Sequence, residues 1–232
     1  MGRLTLLEAV QPRLPEVIAI TGAGGKTTIM LQLAREARTA GLRTLITVTT
    51  KMYEPDPAEF GPPVYDAAEL EGRGLAVYAA DKDHATSKLL GIDPAAIPHG
   101  FDLVLVEADG SLHKPLTAPR EYEPVIPASA TSVLAVAGLD AMGEPIAAMH
   151  QPEVISRLTG QPPEAEVTAD VVATVLSHPE GNTKGRPEQA RVTYVLNKTD
   201  DELRLQQAKQ IAALLPGPAL VTVDGYLLWP QE

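Results

Sequence analysis

"VIAITGAGGKTTIMLQLA", residues 17–34, runs from an apolar stretch through a glycine cluster and a Lys-Thr-Thr into a helical pattern. Val17–Thr21 is short and β-branched, as a buried strand is, and the spacing after it predicts a helix over Lys26–Ala40 that stops at Gly41. The decisive part lies between them: Thr21-Gly22-Ala23-Gly24-Gly25-Lys26-Thr27-Thr28. Glycines there let backbone N–H groups converge on an anion, and the helix that follows adds the positive end of its dipole. Lys26 is expected to reach the outer phosphates of a nucleotide and the Thr27 hydroxyl to hold Mg²⁺. The plain alternative is a glycine turn into a capped helix. A Lys-Thr pair directly after the glycines, between strand and helix, favours the phosphate.

The full G-x-x-x-x-G-K-[ST] pattern would need glycine at position 20, which is Ile20. The shorter G-x-x-G-K-T-T form resembles the ATP loop of Mur-type ligases and other variant P-loops. Outward from it, strands are expected at Arg43–Val48, Leu75–Ala79, Phe101–Val106, Ser132–Ala137, Arg191–Leu196 and, as the last, Ala219–Val223. Residues 53–72 are rich in proline and acid and read as an excursion. Helices are expected at Pro152–Leu158, Ala169–Leu176 and Asp201–Leu215. This alternation predicts one α/β domain over residues 1–232, with a helical insertion around 145–187. Its architecture would be a three-layer P-loop NTPase-like fold, with a mainly parallel sheet and helices on both faces. Ligands of such sheets bind at the carboxyl ends of the strands, where every chemical motif of this chain falls.

Composition narrows the function classes. A net charge of −11 over 232 residues argues against a general nucleic-acid binder, and 4% aromatic residues leave few platforms for stacked bases. The chain has no cysteine, which excludes disulfides, thiolate catalysis and cysteine-ligated zinc. The N-terminal MGRLTLLEAVQPRLPE lacks a long apolar stretch and no segment reaches membrane-spanning length, so a cytoplasmic protein without membrane partners is expected.

Three further segments carry chemistry. "VTTKMYEP" places Thr49, Thr50 and Lys51 beyond the second strand, where they could complete a Mg²⁺ and γ-phosphate shell. "FDLVLVEADGS" delivers Glu107 and Asp109 to a strand end, the position at which P-loop enzymes hold Mg²⁺; Glu107 is favoured as the inner ligand. "RVTYVLNKTDDE" carries Asn197-Lys198-Thr199-Asp200, the N-K-x-D pattern by which G proteins read guanine. Asp200 would accept from the base, Lys198 cover its face and Asn197 support the loop. Thr199 with Glu202 also has the spacing of a helix capping box, so both readings stand.

Taken in order, "ITGAGGKTT", "VTTKM", "FDLVLVEADGSLHKPLTAPREYEPVIP", "VAGLDAMGEPIAAMHQPE", "HPEGNTKG" and "RVTYVLNKTD" resemble YqeC-like proteins over about residues 16–200. Proteins of that family are described as selenium-dependent hydroxylase accessory, or selenium cofactor biosynthesis, proteins. The resemblance implies a P-loop fold and a role in maturing molybdenum hydroxylases that carry labile selenium, with a hydroxylase client or a selenium donor as partner. It marks Gly22, Gly24, Gly25, Lys26, Thr27, Thr50, Lys51, Glu107, Asp109, Lys114, His150, His178, Lys184 and Asn197–Asp200. Members often have Ser-Lys-Gly after the EADG, where this chain has Ser111-Leu112-His113.

The expectation is a purine nucleoside triphosphate site using ATP or GTP with Mg²⁺. Lys26, Glu107 and Asp109 are the catalytic candidates. Gly22, Ala23, Gly24, Gly25, Lys26, Thr27, Thr28, Asn197, Lys198 and Asp200 would bind the nucleotide, and Thr27, Thr50 and Glu107 the metal. His113, His150 and His178 are weighed as a metal or acid–base cluster, and Lys114, Arg120, Lys184 and Arg186 as a pocket for an anionic acceptor. Two rivals stand beside an NTPase: a Mur-like ATP-dependent ligase or kinase, and a nucleotide-gated accessory protein docking on a client enzyme.

Overall fold

The computed structural model describes residues 4–54, 56–223 and 226–229. In chain order the elements are α1 (Leu6–Val10), β1 (Glu16–Gly22), α2 (Lys26–Thr39), β2 (Thr44–Val48), β3 (Lys51–Tyr53), β4 (Leu75–Tyr78), β5 (Asp81–Asp83), β6 (Lys88–Leu90), β7 (Leu103–Glu107), β8 (Ser132–Gly138), α3 (Pro152–Thr159), α4 (Ala169–Ser177), β9 (Arg191–Asn197), α5 (Glu202–Leu214), β10 (Ala219–Val223) and β11 (Tyr226–Trp229).

Eight strands form one sheet in the order β11-β10-β9-β8-β1-β7-β2-β4. Every pairing is parallel except that of β10 with β11 at the edge. A parallel sheet must be covered on both sides, and the strands are correspondingly apolar throughout. Alternate residues of β1, β7 and β8 separate the two cores. Ile18, Ile20, Leu103, Leu105, Leu134 and Val136 pack beneath α1 and α2. Ala135, Ala137, Tyr194, Leu196 and Val221 face α3, α4 and α5 on the other side. That second helical layer covers only the β8–β10 half. Over β2 and β7 its place is taken by Val64, Leu70, Ile92, Ile97 and Phe101 from irregular segments. Among the described residues no helix is long and apolar enough to cross a membrane.

The expected strands and helices are present with ends shifted by a residue or two, the usual uncertainty of helix and strand termini. Five of these elements were not expected: α1, β3, β5, β6 and β11. Helix α1 is opened by a Thr5–Glu8 capping box, a T-x-x-E signal present in the sequence. The excursion after β2 begins with a strand: β3 pairs antiparallel with β6, and β6 with β5, in a separate three-stranded sheet. Ala219–Val223 is not the last strand, because β11 returns antiparallel beside it.

The expected capping box at the start of α5 is corrected. Asp201 is the N-cap, its carboxylate accepting from Arg204 N at 2.8 Å. Thr199 is buried instead and its hydroxyl donates to the carbonyl of Thr222 at 2.9 Å, tying the loop to β10. Asp201→Ala should lower the unfolding free energy by about 1 kcal/mol, and Glu202→Ala by less than about 0.5 kcal/mol, read from denaturant midpoints at unchanged slope.

Candidate functional site

The loop between β1 and α2 is shaped first by its protein neighbours. Gly22, Gly24 and Gly25 all have positive φ, at 90°, 78° and 129°. A Cβ on Gly22 would lie 2.2 Å from the carbonyl oxygen of Val136, and one on Gly24 2.2 Å from the nitrogen of Gly138. A Cβ on Gly25 would lie 2.1 Å from Asn197 Nδ2. The glycines therefore let the loop press against the ends of β8 and β9, with a backbone conformation that side chains disfavour.

This packing divides the loop's N–H groups into two sets. Gly22 donates to Asp109 Oδ2 at 2.7 Å, Ala23 to the Val136 carbonyl at 2.9 Å and Gly24 to the Lys114 carbonyl at 3.1 Å. The first helical bond of α2 is donated by Ile29 to Gly25. The N–H groups of Gly25, Lys26, Thr27 and Thr28 have no acceptor among the described residues, the ordinary condition of a helix start. Gly24 to Thr28 line a cavity of about 580 Å³. Ala23 is fully buried with its N–H engaged, so its expected contact to a nucleotide is not provided for.

Lys26 is 4% exposed. Its ammonium lies 3.0 Å from Asp109 Oδ1 and donates to the Gly22 carbonyl at 2.7 Å and to Ser111 Oγ at 3.1 Å. Burial opposes the charged form, but the carboxylates of Asp109 and Glu107, the hydrogen bond to Asp109 and the further field of Glu123 outweigh it. The lysine pKa is held above its ordinary value. Asp109 is thus engaged by the phosphate loop from two directions, which leaves Glu107 as the freer carboxylate.

The parallel register puts Glu107 level with Ile20 of β1 and Val48 of β2, at the carboxyl edge of the sheet. It accepts from the Thr27 hydroxyl at 2.8 Å. Burial raises its pKa, opposed by Lys26 and the Thr27 hydrogen bond and reinforced by the charge of Asp109. Thr50 lines the same cavity, and its hydroxyl, shielded from solvent, has no hydrogen-bond partner among the described residues. An acidic oxygen, a hydroxyl beside it and an orphan hydroxyl form an all-oxygen donor set of the kind a hard divalent cation takes, so these residues fit Mg²⁺.

At the far end of the loop, Asn197 clamps the glycines. Its Nδ2 donates to the Gly24 carbonyl at 2.9 Å and its Oδ1 accepts from Thr222 at 2.8 Å. Lys198 lines the cavity and pairs with Asp140 at 2.7 Å. Asp200 is on the surface, its carboxylate bonded to Arg204, and is not part of the cavity wall. The motif is thus divided: Asn197 reaches the phosphate loop, Lys198 lines the cavity, and Asp200 does neither.

The three histidines are not brought together: among the described residues no group of three or more His, Cys, Asp or Glu is disposed to hold a metal. His113 lines the cavity. His150 is bonded to Thr117 and Gln151, and burial with the charge of Arg120 lowers its pKa. His178 Nδ1 accepts from Glu180 N at the end of α4. Of the four basic residues only Lys114 is part of the cavity wall. Lys184 braces the carbonyls of Arg120 and Glu121, and Arg120 bonds the Tyr122 hydroxyl. Sequence reasoning missed Tyr53, Asp56, Lys88 and Glu123, which also line the cavity. No motif announces them, because they arrive from the three-stranded sheet and from loops.

A parallel sheet with a glycine loop and buried lysine at the N-terminus of α2, and a carboxylate at the end of the adjacent strand, defines an α/β fold of the P-loop type. Within it the chain belongs to the YqeC family: the family model described as "YqeC protein" matches residues 18–153. The Escherichia coli (strain K12) protein "Uncharacterized protein YqeC" is 34% identical over 197 residues, covering 79% of this chain and 76% of that one. Among solved structures, the MinC:MinD cell division protein complex of Aquifex aeolicus aligns with a TM-score of 0.47 at 17% identity, covering 90% of this chain and 81% of that one.

Two substitutions separate architecture from chemistry. Asn197→Ala removes the clamp on Gly24 and leaves buried partners unpaired, so it should cost about 1–3 kcal/mol of stability. Glu107→Gln should instead hold or raise thermal stability near neutral pH without ligand. The folded-state pKa of Glu107 lies above its unfolded value. Its stabilising contribution is therefore complete below the unfolded value and lost as pH rises through the folded one. The advantage of the glutamine variant over wild type should shrink as pH falls into the carboxylate range, measured by melting temperature against pH.

Proposed function

We propose that the protein binds a Mg²⁺–purine nucleoside triphosphate at the start of α2 and hydrolyses it or transfers its terminal phosphoryl group. We further propose that it acts in the cytoplasm, in the maturation of selenium-dependent molybdenum hydroxylases, the context that the family resemblance implies. The observation that carries the nucleotide reading is the division of the phosphate loop's N–H groups. Those of Gly22, Ala23 and Gly24 are engaged by the protein, and those from Gly25 to Thr28, without an acceptor among the described residues, stand at the wall of a cavity that also holds the buried Lys26. Free N–H groups at a helix start beside an ammonium suit a polyphosphate. Thr27, Thr50 and Glu107 would hold the Mg²⁺, whose contribution is to neutralise charge on the outer phosphate oxygens. The rest is positioning: the loop fixes the phosphates, Lys26 offsets their charge and Asn197 holds the loop in place.

Base choice turns on Asp200. Its carboxylate is bonded to Arg204 outside the cavity, which supports a site without guanine selectivity. A second reading, a nucleotide-gated accessory protein, draws on the segment after β7. Ser111 is held by Lys26, and its neighbour Leu112 is 70% exposed. A triphosphate that competes for Lys26 would loosen a segment carrying an apolar side chain suited to a client surface.

Lys26→Ala should weaken triphosphate binding about ten- to hundredfold, the loss of one charge-assisted contact, in calorimetric titration. Unchanged affinity would refute the phosphate site. ATP and GTP should bind wild type and Asp200→Ala alike, within about threefold. A guanine preference abolished by Asp200→Ala would restore the base-reading role of that loop.

A further inference from the structure

The three-stranded sheet has no part in the phosphate contacts described above, yet one of its faces looks into the same cavity. In its register Met52 stands opposite Leu89 and Tyr53 opposite Lys88. Side chains alternate along a strand, so Met52 and Leu89 share one face, and Lys51, Tyr53 and Lys88 the other. Met52 and Leu89 are 2% and 0% exposed and join the core beneath α2. Lys51, Tyr53 and Lys88 all line the cavity, where Lys114 joins them from the segment after β7.

Packing does not account for these lysines, since Met52 and Leu89 anchor the sheet. Ion pairing does not either. Among the described residues neither Lys88 nor Lys114 has a carboxylate within 4.0 Å, and Lys51 has only Asp83 at 3.9 Å. In a chain of net charge −11, these three lysines line one cavity. Asp56 and Glu123 also line it, and burial raises the pKa of each.

We propose that this face of the three-stranded sheet is a second ligand subsite, for a small molecule bearing a phosphate or carboxylate group held by Lys51, Lys88 and Lys114 beside Tyr53. The inference rests on the phosphate-loop reading only for what lies next to it: Thr50 and Lys51 are adjacent in the chain, so the subsite adjoins the region assigned to the metal and outer phosphates. Ammonium groups on separate elements suit an oxyanion contacted from several directions, and the Tyr53 ring and hydroxyl give the rest of the ligand an apolar surface and a hydrogen-bonding end.

The test uses the full chain saturated with Mg²⁺ and a non-hydrolysable triphosphate analogue, titrated separately with inorganic phosphate and with malonate. Saturable binding of either probe is expected, phosphate alone marking a phosphoryl-bearing ligand and malonate alone a carboxylate. Lys88→Gln should weaken that binding at least about fivefold, and Lys88→Gln with Lys114→Gln should remove it, while analogue affinity stays within about twofold. Circular dichroism confirms folding; Lys88 makes no side-chain hydrogen bond among the described residues that the change would break. If the analogue binds wild type but neither probe does, or if probe binding is unchanged in Lys88→Gln, the subsite is overturned and the phosphate loop stands. If the analogue itself does not bind wild type, the phosphate-loop reading falls and the probes still decide the subsite. Binding that depends on Lys88 and survives Lys26→Ala upholds it, and binding lost only with Lys26 overturns it.

Discussion

A buried ammonium organises this protein. Lys26, the first residue of α2, contacts the last residue of β1 through the Gly22 carbonyl and the continuation of β7 through Asp109 and Ser111. Losing one partner would leave an uncompensated charge out of water, a change that typically costs about 3–5 kcal/mol. The contact is available only because β1 and β7 are parallel neighbours, in a register that brings Glu107 level with Ile20 and carries the chain on to Asp109 beside Gly22. Sheet order, loop shape and site charge are therefore one arrangement.

The same loop balances internal structure against binding capacity. Three N–H groups are satisfied by β8, by Asp109 and by Lys114, so the loop is preorganised, and Asn197 holds it from the other side. The next four are the free donors of a helix start. Leaving them without protein partners is favourable only where water or an anion can reach them, which is what the cavity provides. Glu107 expresses a similar trade: a carboxylate carried into a buried position, where its charge weakens the fold but suits a cation.

Around that loop the cavity gathers groups from several parts of the chain, among them Thr50 after β2, Lys88 on β6, Glu107 on β7 and Lys198 after β9. The three-stranded sheet is two-faced: Met52 and Leu89 anchor it in the core, so the face with Lys51, Tyr53 and Lys88 is not needed for its burial. Membership of the YqeC family accounts for the shared motifs, while the chemistry rests on where these side chains meet.

The alternating strands and helices, the phosphate loop and the carboxylates of "VEADGS" are local patterns, and local patterns were legible in the chain alone: hydrophobic period, glycine turns and strand-end acids depend on neighbours a few residues away. Even the unexpected α1 left its T-x-x-E signal there. What only the tertiary structure decided are pairings across long separations. Asn197 belongs to Gly24, Asp109 to Lys26, Thr199 to Thr222, and β3 to β6. Thr199 and Asp201 show the limit best. Both are good caps by composition, and the choice went to Asp201 because β10 draws the Thr199 hydroxyl into the interior. Partners of buried polar groups are set by which strands become neighbours, and strand order is a property of the folded sheet, which no spacing in the sequence specifies.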